Sequence, residues 1–226
     1  MEPNPQQPQR TGATAGPSGA AAFLSTPRAR RALAMAAAVA VLSGSAITAG
    51  LWWGKDGPAL GAGPDDAVTT APECSVVEAG TVAELLPSGR PEADEHGPLM
   101  DAEGTTCVWT SVDADGVPPR VLAVDFEARF TDRAGDVTGA SAAARALQGF
   151  APVADLEGAA PLPRLGADAL VWPGADDGTA ELVFRSDNLL VRVSYGGAED
   201  SGGAPLSFAA ARDGAVAVAE QVADAL

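Results

Sequence analysis

Few side chains in this chain have the type and spacing needed for catalysis. His96 is the only histidine, it stands in an acidic stretch, and no serine occurs in the G-x-S-x-G pattern of a nucleophile elbow. Because 30 of the 226 residues are acidic, neighbours such as Asp176 and Asp177 do not by themselves predict paired-carboxylate chemistry. The sequence therefore favours a protein that is not an enzyme and uses no cofactor or metal ion.

Cys74 and Cys107 are the only cysteines, and both follow the apolar segment described below. Two cysteines in one exported domain most often pair, so a disulfide is predicted. It would close a loop of about 33 residues and stabilise the fold by about 3–4 kcal/mol. A zinc site would need His96 and an acid as further ligands, and the C-x-x-C spacing typical of such sites is missing.

Two tryptophans are candidates for packing or for ligand contact. Trp109 lies two residues after Cys107 and is predicted to be a core residue beside the disulfide. Trp172 precedes a Pro-Gly pair at the end of a strand and is predicted to be partly exposed. An aromatic side chain at a rim favours ligand contact, so we expect Trp172 at the mouth of a pocket between the sheet and the C-terminal helix.

The charge of the chain excludes one class of partner. The formal net charge is −16, and most of the acidic residues follow Cys74. Nucleic-acid binding depends on cationic side chains that neutralise phosphates, so this surface argues against a nucleic-acid partner.

An apolar segment at 32–53 predicts a single transmembrane helix. Its 22 residues span about 33 Å as a helix, enough to cross a hydrocarbon core of about 30 Å. Arg30 and Arg31 precede it, and Trp52 and Trp53 end it at the level where interfacial aromatic residues occur. The excess of arginine before the segment places the N-terminus in the cytoplasm and the C-terminal domain outside.

A cleaved signal peptide is the alternative interpretation of this segment. Small residues at 44–46 could form a cleavage site, and the arginine pair could belong to a twin-arginine signal. The long region before the apolar stretch, and the continuation of that stretch to the tryptophans, favour an uncleaved anchor.

The anchor divides the chain into four parts. Residues 1–31 are rich in Pro, Gln, Gly and Ser and predict a disordered cytoplasmic tail before the membrane helix at 32–53. Residues 54–72 are rich in Gly and Pro and predict a flexible linker. Residues 73–226 are predicted to form one extracytoplasmic α+β domain.

Hydrophobic periodicity predicts the elements of this domain. The pattern Thr81 to Glu84 has capping-box spacing and predicts a short helix, whereas the polar residues at 90–104 predict a loop. The segment 120–130 alternates apolar and polar residues, which predicts a strand with one core face and one solvated face. Further strands are predicted at 105–112, 169–172, 180–185 and 189–195, with helices at 141–147 and 207–225. The expected fold is an antiparallel sheet packed by a long C-terminal helix.

Several short motifs support a family resemblance. Cys74 before a short helix, Cys-Val-Trp at 107–109 and Leu-Gly-Ala-Asp-Ala at 165–169 resemble the small actinobacterial cell-envelope proteins and lipoproteins of unknown function. Their exported domain is similar to extracellular sensor domains of actinobacterial serine/threonine kinases. The resemblance implies an α+β domain with a disulfide. This chain departs from the lipoproteins because it has a spanning segment where they have a lipid-bearing cysteine.

These observations leave two hypotheses for function. The first is a membrane-anchored, non-enzymatic binding or sensor-like domain for an envelope ligand. The second is an interaction or scaffold module that docks on another envelope protein without a small-molecule ligand. Both place the protein in the cell membrane with its C-terminal domain outside.

Overall fold

A computed structural model of the chain describes residues 61–132 and 136–226. The predicted tail (1–31), the predicted membrane helix (32–53) and residues 54–60 of the predicted linker lie outside these ranges. Within the described ranges, no helix combines the length and apolar character needed to cross a bilayer.

The described residues form an α+β fold around one antiparallel sheet. Its strands are β1 (Arg90–Leu99), β2 (Ala102–Thr110), β3 (Arg120–Arg129), β4 (Ala160–Pro161), β5 (Leu170–Pro173), β6 (Thr179–Ser186) and β7 (Leu189–Gly197). The helices are α1 (Ala79–Leu85), α2 (Gly139–Gln148) and α3 (Phe208–Ala225). The strand order is β1-β2-β3-β7-β6-β5-β4, so two meanders meet where β3 pairs with β7.

The main core lies between the sheet and α3, which confirms the predicted packing of the C-terminal helix. Alternate residues of β3 are buried on this face, as their period of two predicts. The apolar stripe of α3 meets them and includes Ala211, Ala215, Val218 and Val222, each with no exposed surface. Ser207 is the N-cap of this helix, and its side chain accepts a hydrogen bond from the amide of Ala210.

The second face of the sheet is not simply solvated, and in this respect the prediction for β3 is wrong. Helix α2 lies across this face, and Leu147 packs there in a second apolar cluster with Trp172, Val183 and Leu190. The short apolar stretch of α2 did not reveal which face it would cover, because that depends on the path of the chain after β3.

The largest error in the predicted elements is at 90–104. This stretch forms β1, a tight turn and the first residues of β2, rather than a loop. Strand β1 is at the edge of the sheet and its side chains are mostly exposed on both faces. It therefore has no apolar alternation from which a strand can be predicted.

Helix α1 begins earlier than the capping-box pattern predicted. It starts at Ala79 after Glu78, and Thr81 lies inside it. The amide of Glu78 instead donates to the side chain of Gln221 on α3, over 3.1 Å, and the Gln221 amide nitrogen donates to the carbonyl of Val76. A tertiary contact thus takes the place of the local cap.

The described part of the predicted linker is packed against the domain. Asn188, which is buried, bonds both the amide and the carbonyl of Val68 through its side chain. Ala71 is also buried, and the carboxylate of Asp66 accepts hydrogen bonds from the amide and hydroxyl of Thr131. The folded domain therefore begins before the predicted boundary at residue 73.

Asp66→Asn is expected to destabilise the domain by about 1–3 kcal/mol at neutral pH. The asparagine side chain would place its own NH₂ donor against groups that now donate hydrogen bonds to the carboxylate. Burial alone would raise the pKa of Asp66, but hydrogen bonds from Thr131 and Gly63 outweigh it and lower that pKa. A lowered pKa contributes stability above the unfolded-state value of about 3.9, and the contribution is lost as the pH falls through the folded-state pKa.

The measurement is the urea midpoint of the wild type and of Asp66→Asn between pH 7 and pH 2.5. The difference between the two proteins should shrink in the acidic part of this range. The neighbouring exposed carboxylate provides the control, since Asp65→Asn should leave the midpoint unchanged. A difference between the two urea midpoints that stays constant with pH would contradict the lowered pKa of Asp66.

Candidate functional site

The disulfide brings the segment before α1 to the sheet. Cys74 and Cys107 are paired, with Cα atoms 5.5 Å apart, as predicted. Cys107 is fully buried on β2, and Cys74 begins a 3₁₀ turn that leads into α1. The disulfide therefore holds the start of the α1 segment against the β1–β2 hairpin.

A groove of about 510 Å³ lies between this segment and the hairpin. We call it the β1 groove. From the α1 side it is lined by Cys74, Val77, Ala79, Val82, Ala83 and Leu86, and from the hairpin by Pro91, Ala93, Asp94 and Trp109. Most of this lining is apolar, and Asp94 supplies a carboxylate that is exposed to solvent.

The α1 wall of the groove is held at its C-terminal end as well. The carbonyl of Leu85 accepts hydrogen bonds from the guanidinium of Arg120 and from the hydroxyl of Tyr195, each over 3.0 Å. Burial raises the pKa of Tyr195, and the opposing effect of Arg120 does not cancel this, so the phenol remains a donor at neutral pH. Both ends of the α1 wall are therefore fixed. The disulfide and Gln221 hold its start, and the two donors on the Leu85 carbonyl hold its end.

The two tryptophans differ from the prediction in how far they are buried. Trp109 lies near the disulfide, as expected, but is only partly buried and lines the groove. Trp172 is 5% exposed, and its ring centroid lies 5.7 Å from that of Phe150. It sits on the face opposite α3, so the predicted partial exposure of Trp172 and its predicted place beside the C-terminal helix are wrong. The position of Trp172 offers no support for its predicted ligand role.

The second face of the sheet also carries a charged cluster that the sequence did not reveal. Arg192 donates to Glu181 over 2.6 Å, and its guanidinium lies 5.7 Å from the centre of the Phe150 ring. Beside it, burial raises the pKa of Asp125, despite the hydrogen bond from Thr106. A raised carboxyl pKa means that stability falls as the pH rises through it. We interpret the cluster as structural, because the Arg192 charge is paired and partly covered by the ring.

His96 has neighbours that superficially resemble a catalytic triad. Its Nδ1 lies 2.7 Å from the hydroxyl of Thr105, and its Nε2 contacts the carboxylate of Glu103. However, Thr105 is only 2% exposed and does not line the groove, so its hydroxyl cannot meet a substrate there. Since His96 pairs directly with Thr105 across the hairpin, a polar contact between neighbouring strands accounts for the geometry.

Among residues 61–132 and 136–226, no group of three His, Cys, Asp or Glu side chains is placed to hold a metal ion. The chain matches no protein-family model, no curated protein and no solved structure.

Proposed function

We propose that the domain is a non-enzymatic, extracytoplasmic binding domain, held at the cell membrane by the predicted anchor, whose ligand occupies the β1 groove. The observation that supports this proposal is the groove itself, which is concave, mostly apolar and bordered by one carboxylate. Ligand sites in proteins commonly combine an apolar lining with a few polar groups that orient the ligand.

The rigidity of the groove walls adds to this argument. The disulfide, the Gln221 side chain and the donors on the Leu85 carbonyl hold α1 from both ends. A wall that is already fixed loses little conformational entropy when a ligand binds. The lining positions Ala79 and Ala83 are small and exposed, which keeps the groove open to solvent.

Docking on another envelope protein is the second candidate function. It is favoured by the exposed edge strand β1, which is ten residues long and borders the groove at Pro91, Ala93 and Asp94. Exposed strand edges are sites where proteins pair with other chains.

Ala83→Phe is expected to fill the groove and weaken ligand binding at least tenfold while leaving the fold intact. The measurement is thermal unfolding of the full chain against muropeptides, envelope lipids, short peptides and calcium. A ligand at 100 times its Kd should add about 2.7 kcal/mol. Emission from Trp109 should respond to the same ligand, and this response should disappear in Trp109→Phe.

The matched control is Glu84→Phe, because Glu84 is exposed on the same helix but does not line the groove. It should bind as the wild type does. Ligands that bind Ala83→Phe and the wild type equally would place the site elsewhere. A panel without any response would leave docking as the better function.

A further inference from the structure

We propose that the natural occupant of the β1 groove is an extended cationic peptide segment of another protein, which adds to the sheet as a strand beside β1. This inference rests on the proposed function and names the class of its ligand, which, as a segment of another protein, would also account for docking at the β1 edge. It is carried by three features of the described residues: an open strand edge, a groove next to that edge, and unpaired negative charge along it.

The first feature is the open edge. Strand β1 pairs with β2 on one side, and no other described strand pairs with it. The opposite edge of the sheet is β4, which has only two residues. An unpaired edge presents amide and carbonyl groups that can bond a further strand. Since proline cannot donate, Pro91 and Pro98 set the limits of the segment best suited to pairing.

The second feature is that the groove opens beside this edge. Pro91, Ala93 and Asp94 belong to β1 and also line the groove. Side chains alternate between the two faces of a strand, so every second side chain of an added strand would point to the groove side of the sheet. Main-chain hydrogen bonds would then provide affinity, and the apolar lining around Trp109 would select those side chains.

The third feature is the charge along β1. Asp94 and Glu95 are exposed and have no ion-pair or hydrogen-bond partner among the described side chains. Arg90, the strand's arginine, is already engaged, because it contacts Asp113 over 2.8 Å and Glu92 over 3.7 Å. The edge therefore complements lysine and arginine side chains on an incoming peptide.

The same charges argue against a second copy of this chain at the edge. Pairing of β1 with β1 would bring two acidic stretches together, and like charges on adjacent strands are destabilising. A cationic segment gains attraction at the positions where a second copy would meet repulsion.

The test is binding of labelled peptides to the full chain in mild detergent, followed by fluorescence anisotropy. The probes are an alternating Lys/Val heptapeptide, the corresponding Glu/Val heptapeptide, and two Lys/Val peptides that are N-methylated at every second residue in opposite phases. The Lys/Val peptide should bind at least tenfold more tightly than the Glu/Val peptide. At least one of the two N-methylated peptides should bind tenfold or more weakly than the unmodified Lys/Val peptide, because N-methylation removes the N–H donors that strand pairing needs.

The protein variant for this test is the double substitution Asp94→Lys with Glu95→Lys, which should weaken Lys/Val binding on the order of tenfold or more. The matched control is Asp176→Lys with Asp177→Lys. It makes the same change in charge at two exposed residues in the β5–β6 turn. The control should retain wild-type affinity, and both variants should unfold at the wild-type temperature.

Several results would overturn the inference. If the two double variants lose equal affinity for the Lys/Val peptide, the attraction is unspecific. If both N-methylated peptides bind as tightly as the unmodified one, strand pairing is excluded. A dimer in sedimentation that is altered by the β1 substitutions, without Lys/Val binding, would identify a second copy as the occupant. Failure of the inference is distinguishable from failure of the proposed function, since other ligands would then still bind in a manner sensitive to Ala83→Phe.

Discussion

Replacing Cys74 and Cys107 together by alanine should lower the free energy of unfolding by about 3–4 kcal/mol. The disulfide closes a loop with a sequence separation of 33, and the entropy that it removes from the unfolded chain has this magnitude. Removal of the buried Cys107 sulfur adds a small packing loss. The measurement is a urea denaturation curve for each protein, with the free energy of unfolding in water obtained from that protein's own fitted m, because loss of the cross-link changes the compactness of the unfolded chain.

Reduction provides the control for this result. Dithiothreitol should lower the midpoint of the wild type by a comparable amount and should not affect the double variant. Because Cys74 also lines the groove, the variant should lose affinity for groove ligands even where it remains folded. A double variant as stable as the oxidised wild type would show that the disulfide contributes nothing to stability.

Gly214→Ala should destabilise the domain by about 1–3 kcal/mol, although alanine is the better helix former. Gly214 lies within α3, and a Cβ atom there would come 2.5 Å from two carbons of the Tyr195 ring. The ring is buried and its hydroxyl donates to the Leu85 carbonyl, so it cannot move aside without loss. The substitution should push α3 away from the sheet and disturb the α1 wall of the groove.

Gly80→Ala is the matched control, because Gly80 also lies in a helix and a Cβ there meets nothing within 4 Å. It should stabilise the domain by about 0.5–1 kcal/mol through the unfolded state. The two urea midpoints should therefore move in opposite directions from the wild type. A rise for Gly214→Ala would mean that the contact between α3 and Tyr195 is looser than the structure shows.

These two expectations concern the same part of the molecule as the proposed function. The disulfide fixes the beginning of the α1 segment, and Tyr195 with Arg120 fixes its end. Variants at either end should therefore reduce groove binding in parallel with stability. Asp66→Asn, which acts at the N-terminal segment, should reduce stability with little effect on groove ligands.

The sequence alone was sufficient to predict the elements in which buried residues recur at a regular spacing. Strand β3 and helix α3 each place apolar residues at the period of the element, because one face of each meets the core. The cysteine pair could be predicted from number and context, since two cysteines in a domain that is predicted to be exported most often pair with each other. The exported location, the anchor and the family resemblance rest on residues and motifs that the structure does not test.

Tertiary structure alone decided where the candidate groove lies. Strand β1 is solvated on both faces, so its sequence shows no alternation, and only its pairing with β2 makes it a strand. Trp109 and Trp172 both occur in strands, and the residues around them in the sequence do not show which elements pack against them. Trp172 packs with Leu147 of α2 on the second face of the sheet, whereas Trp109 lines the groove beside the sheet edge. Residue type and local periodicity can identify an aromatic candidate, but its exposure depends on the packing of elements distant in the chain.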